Sequence, residues 1–200
     1  MESLGNIYSN KVTMRTEHIP KGDAGTSTTL DRIVALISKG KINKDIIYQA
    51  RQIAMQAPER DQIGQIDAIH NWIKDHIYYI NDPDKYEAIE TGTGTVIKNT
   101  HGIELLSDPV WMLHEIQSKG QVSGDCDEFV TLEGSLLGAI GFPVYIQAIG
   151  MKEHGNRYGH VYMYTFTSNG QRVPLDGILK DKPIGWEIPQ EYVKKNSLKQ

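Results

Sequence analysis

A single cysteine stands in 200 residues. That scarcity excludes an internal disulfide and fits a reducing compartment. No apolar run approaches the ~18 residues of a membrane-spanning helix, and the opening Met1-Glu2-Ser3-Leu4-Gly5-Asn6 lacks a signal peptide's apolar region. Charge of one sign is scarce as well. The formal net charge is −4 with basic residues scattered, which offers nucleic acid no basic face. Internal repeats, low-complexity tracts and the Cys-x-x-Cys or His-x-x-x-His spacings of a specific zinc site are all missing. We therefore expect a cytoplasmic protein, unless it leaves as part of a particle, with no cofactor, no metal, no membrane and no nucleic-acid partner.

What is present describes an ordinary globular protein. The hydrophobic fraction is 39% and the charged fraction 23%, and the length suffices for one sizeable core. Residues 1–28 are polar and turn-rich, apart from a short extended candidate at Lys11 to Thr16, and read as an arm without chemistry. Residues 29–200 read as one domain, with a helical part at 29–80 and a chemical core at 107–180.

Three helices are expected first. Thr28 or Thr29 caps one that carries Leu30, Ile33, Val34 and Ile37 and closes at Gly40. Asn43 caps the second, with Ile46, Ile47, Ala50, Ile53, Ala54 and Ala57 before Pro58. The third begins near Pro58 or Asp61 and shows Ile63, Ile66, Ile69, Ile73 and Ile77 at helical spacing. Asp67, His70 and Lys74 fall off that stripe and are expected in solvent. Residues 82–106 have no clear period; a loop of that length is often functional. Its Thr91-Gly92-Thr93-Gly94-Thr95 lacks the lysine of a phosphate loop. A further helix follows, with Asp108 as cap, Pro109 at the first helical position and Gly120 at the end.

The chain then delivers its cysteine. Gly124-Asp125-Cys126-Asp127-Glu128-Phe129 opens an apolar-patterned segment with Val130, Leu132, Leu136, Leu137 and Ile140. Gly141 and Pro143 stop it. Cys126 thus sits within one turn of a helix N-terminus, where unpaired N–H groups and the dipole favour thiolate over thiol. Asp125, Asp127 and Glu128 oppose that by a similar amount, about 1 kcal/mol or less when exposed. Asp127 is a candidate for a turn hydrogen bond or for positioning substrate. Downstream, Val144–Ile149 reads as a strand, and His160 opens another, His160–Phe166. Asp176 follows Gln171-Arg172-Val173-Pro174-Leu175 after the turn signal Ser168-Asn169-Gly170. With a two-residue turn at Asn169-Gly170, Ser168 pairs with Gln171, and His160 faces a position near 179. Asp176 is then close enough to be a partner for the imidazole.

Singly, these residues have plain explanations: a small buried thiol, a strand-start histidine and a turn carboxylate. Jointly, a thiol, a base and a group that orients the base form a nucleophilic apparatus. A metal set of Cys126, Asp127, His154 and His160 is the chemical rival, without specific spacing.

In order and spacing, the Gly-Asp-Cys-Asp helix start, Gly141-Phe142-Pro143, Gly159-His160-Val161 and Pro174-Leu175-Asp176 resemble the transglutaminase-like superfamily of papain-type cysteine enzymes. The likeness runs from about Ser107 to Gly177, with Trp72–Tyr79 similar to the helix preceding the nucleophile. It is particularly similar to small transglutaminase-like proteins encoded among virion genes of phages and prophages. The resemblance implies an α+β fold of papain-like topology, N-terminal helices, and a nucleophile helix on a small antiparallel sheet. It implies Cys126, His160 and Asp176 as catalytic residues acting by acyl transfer on a peptide or amide, hydrolysis being the expected outcome. It also implies an oxyanion donor upstream of the cysteine, for which Gln121 and Trp111 are candidates. The second reading is a non-catalytic virion or morphogenesis component that meets other virion proteins through this fold.

Overall fold

The computed structural model describes residues 23–80, 106–151 and 158–199. Expectations that fall on residues 1–22, on the 82–105 stretch and on 152–157, His154 included, lie outside them. The chain is α+β. Its order is α1 (Asp23–Gly40), α2 (Lys44–Ala54), α3 (Gln62–His76), β1 (Ile77–Tyr79), α4 (Pro109–Lys119), β2 (Val122–Gly124) and α5 (Cys126–Ala139). Then come β3 (Tyr145–Met151), β4 (His160–Phe166), β5 (Arg172–Leu175), a single 3-10 turn and β6 (Val193–Lys199). Among the described residues no helix is long and apolar enough to cross a membrane.

Local chemistry sets most helix ends. Asn43 accepts from the Asp45 N–H, Asp61 from Gly64, and Asp108 from Val110 and Trp111 with Pro109 behind it. Burial pushes the Asp108 carboxyl up, but the Lys39 ammonium and those two N–H groups outweigh it and hold the group below its ordinary value. The first helix departs from expectation. It begins at Asp23, five or six residues before the threonines expected to cap it. Thr28 is interior and donates its hydroxyl back to the Ala24 carbonyl at 3.0 Å.

Helix α5 is the centre of the fold, buried from Asp127 through Leu137. It packs against α1, α2, α3 and α4, and also against β4. Gly134 and Gly138 each cost about 1 kcal/mol in a helix interior, but Leu132, Leu136 and Leu137, all fully buried, return about 2 kcal/mol apiece. Packing rather than propensity holds this helix.

Surrounding α3 on two sides corrects one expectation. Ile66, Ile69 and Ile73 are buried as read, yet Ile63 is 36% exposed, while His70 and Lys74, expected in solvent, are buried. Both α2 and α5 pack on α3, so its buried face is wider than one isoleucine stripe. His70 meets Glu133 of α5, and Lys74 donates to the Lys182 carbonyl at 2.8 Å.

The main sheet runs β5-β4-β3-β6, antiparallel throughout. The β4–β5 hairpin has a three-residue loop, not two. Thr167 donates its N–H to the Gln171 carbonyl and Gly170 donates to Thr167, with Gly170 at φ +84. Pairing therefore runs Phe166↔Arg172 to Met163↔Leu175, one residue out of the expected register. Two pairings carry little sequence signal: the short parallel pair β1–β2, and β6, a polar strand pairing along β3.

Candidate active site

Strand β2 leads straight into the cysteine. Its last residue, Gly124, lies so close to α5 that a Cβ there would come 2.5 Å from Glu128 Cβ. Asp125 is the N-cap, accepting the Asp127 N–H at 3.1 Å. Glu128 returns the favour by accepting the Asp125 N–H at 3.0 Å, which completes a capping box. The other Glu128 oxygen accepts the Ser107 N–H at 3.1 Å and the Ser107 hydroxyl at 3.0 Å. This buried carboxylate thus fixes both the entry to α5 and the start of the preceding segment. The pattern Asp125-x-x-Glu128 is a capping-box signature and could have revealed the pairing.

Cys126 is the first residue of α5 and half-buried. Its sulfur lies 3.7 Å from Asp127 Oδ1, the thiol donating. Asp127 is 5% exposed, so this candidate for substrate positioning stands against the sulfur inside the first turn.

His160, at the start of β4, and Asp176, just beyond β5, come together: Nε2 and Oδ2 are 2.8 Å apart. Continuing the observed register brings Asp176 opposite Tyr162, on the same sheet face as His160. A carboxylate can only accept, so Nε2 carries the proton and Nδ1 remains for other chemistry. Asp176 is buried, and its other oxygen has no hydrogen-bond partner among the described residues. Such an omission costs about 1–3 kcal/mol.

The carboxylate end of this pair is also anchored to the cysteine helix. A Cβ on Gly177 would come 2.5 Å from Phe129 Cδ1, so the backbone next to Asp176 rests on a side chain one turn into α5. Of the oxyanion candidates, Gln121 is exposed immediately before β2, while Trp111 is half-buried against the core in the first turn of α4.

A second cluster lies beside His160 and was not anticipated from the sequence. The Tyr162 ring faces the His160 ring, with centroids 6.1 Å apart and planes at 18°. Its hydroxyl donates to Glu187 Oε1 at 2.5 Å. Arg172 grips the same carboxylate with two N–H groups, at 2.6 and 2.9 Å, and lies 4.0 Å over the Tyr164 ring. The Arg172 guanidinium, helped by the Tyr162 hydroxyl, holds Glu187 below the ordinary carboxylate range against the opposing effect of burial. Burial, then the Glu187 carboxylate, pushes the Tyr162 phenol up.

As to a metal, Asp125, Cys126 and Asp127 bring one ligand atom each within 4.8 Å of one another. Two of these are already engaged, Asp125 in the helix cap and Asp127 with the thiol.

No protein-family model matches the chain. No curated protein matches it either. Among solved structures, LapG of Legionella pneumophila is similar over 76% of this chain and 76% of its own, at 14% identity and a TM-score of 0.43. An overlap that slight says nothing of chemistry, which rests on the residues themselves.

Proposed function

We propose that the protein is a transglutaminase-like cysteine enzyme of papain-like topology, hydrolysing a peptide or side-chain amide through a thioester on Cys126. The observation that carries this reading is the 2.8 Å pairing of His160 Nε2 with Asp176 Oδ2, in a segment whose Gly177 packs on the first turn of the helix that Cys126 begins.

The steps of this reading are those of a thiol nucleophile served by an imidazole base. His160 Nδ1 takes the Cys126 proton, and the thiolate adds to the acyl carbon. The imidazolium returns its proton to the nitrogen as the carbon–nitrogen bond breaks, so amine or ammonia leaves and a thioester remains. Water then loses a proton to Nδ1 and attacks the thioester, releasing acid and regenerating the thiol. Asp176 fixes the tautomer throughout and stabilises the imidazolium. In this reading the oxyanion is met at the N-terminal end of α5 by the Cys126 backbone, with Gln121, the exposed one of the two candidates, as the side-chain donor.

The test is release of ammonia from glutamine-containing peptides, together with peptide cleavage. Wild type is expected to exceed Cys126→Ala by at least about 10³-fold, with His160→Gln and Asp176→Asn reduced by roughly 10²–10⁴. Iodoacetamide, reporting on the only cysteine, should react with a midpoint acid of the unperturbed ~8.5. Activity equal to that of Cys126→Ala, with an unshifted midpoint, would remove the enzyme reading.

A further inference from the structure

The His160–Asp176 pair belongs to a larger arrangement on one sheet face. Along β4, His160, Tyr162 and Tyr164 project to the same side. Across the hairpin Pro174 pairs opposite Tyr164, and continuing that register brings Asp176 opposite Tyr162. Tyr162 is therefore the neighbour of His160 along the strand and of Asp176 across it. It is 3% exposed, and its ring forms a wall beside the imidazole. A wall positions only if it is itself fixed, and here the fixing comes from beyond the sheet. Chain leaving Asp176 turns back, with the Gly185 N–H donating to the Pro174 carbonyl at 2.8 Å. Glu187 then accepts from both Tyr162 and Arg172. The segment between Asp176 and Glu187 is thus pinned at both ends to the same sheet face, by His160 at one and by Tyr162 with Arg172 at the other.

We propose that Tyr162, locked by Glu187 and Arg172, is a positioning residue that holds the His160–Asp176 pair in its bonded geometry. The inference rests on the proposed function for its purpose, but not for its physics. Loss of the Tyr162 hydroxyl contact frees the ring, and with it both the side of the imidazole and the return path of the Asp176 segment. Tyr162→Phe keeps the ring and removes only the bond. Glu187→Gln removes the charge that Arg172 grips and keeps the shape. Both variants cut one network, so their effects are not additive.

The experiment reads the proton on His160 Nε2 directly, by nitrogen-edited NMR of its solvent exchange in the full chain. Asp176→Ala, which removes the acceptor, serves as the reference for a lost bond. Exchange is expected to quicken at least fivefold in Tyr162→Phe and in Glu187→Gln, with the double variant no faster than the Glu187→Gln single. Unchanged exchange in both single variants overturns the proposal. So does a fall in melting temperature with exchange quickened no more at His160 than at backbone amides generally, since that is a merely structural role. Alkylation of Cys126 in His160→Gln separates the two readings. If it equals wild type, the acyl-transfer reading fails, while positioning of the imidazole is still decided by the exchange rates.

Discussion

His70 Nδ1 lies 2.8 Å from Glu133 Oε1, the two side chains each 1% exposed, one on α3 and the other seven residues along α5 from Cys126. The pair ties α3 to α5, the helix that Cys126 begins. Removing one partner leaves the other buried and unmatched. His70→Ala or Glu133→Ala should each cost roughly 3 kcal/mol in urea unfolding. Replacing both with leucine should recover most of that loss, because no orphaned polar group remains.

Glu128 holds three hydrogen bonds around the entry to α5. Glu128→Ala should destabilise by about 2–3 kcal/mol, more than the ~1 kcal/mol of an ordinary cap, because it also releases Ser107. Glu128→Gln should fall between wild type and alanine. Alkylation kinetics of Cys126 in these variants would show whether the first turn of α5 loosens with them. We expect a greater change in the alanine variant.

Gly177 has no room for a side chain against Phe129. Gly177→Ala must push the Asp176 segment away from α5 or displace the phenyl ring, a strain of about 1–3 kcal/mol. Because that segment carries the partner of His160, activity should fall by tenfold or more. Paired Gly177→Ala/Phe129→Leu should restore part of both activity and stability. No recovery in either would mean that the contact does not transmit to the site.

Glu187 gives a pH dependence with a definite sign. Arg172 and Tyr162 hold its folded-state ionisation below the ordinary value. The folded chain therefore binds this proton less readily than the unfolded chain. Its contribution is fully present above the ordinary carboxylate value of about 4.3 and is lost as pH falls through the lower folded value. The acid-unfolding profile of Glu187→Gln should accordingly be flatter below about pH 4.5 than that of wild type, with little change in slope near neutrality. A slope unchanged in the acid limb would show that the network adds nothing there.

How far the sequence reached can be followed residue by residue. Asn43, Asp61, Asp108, Pro109 and Gly120 marked helix ends that the structure keeps, because capping is settled within four residues of chain. His160 and Asp176 were legible as partners even though the hairpin register was read one residue out. The two-residue turn would set Asp176 opposite Met163, on the other face from His160; the three-residue loop shifts it opposite Tyr162, onto the face of His160. The loop itself was misread because Thr167 and Gln171 close a three-residue turn, while Asn169-Gly170 equally suits a two-residue one.

The amino-acid order by itself determined the starts of α2, α3 and α4, the thiol at a helix N-terminus and the hairpin that returns β5 along β4. All of these depend on neighbours a few residues apart. Only the tertiary structure decided that His70 and Lys74 go inside, that a polar β6 borders β3, and that Glu187 reaches Tyr162. Each of these turns on which surfaces meet across long stretches of chain, and a side chain's burial is a property of the surface it meets, not of its own helix or strand.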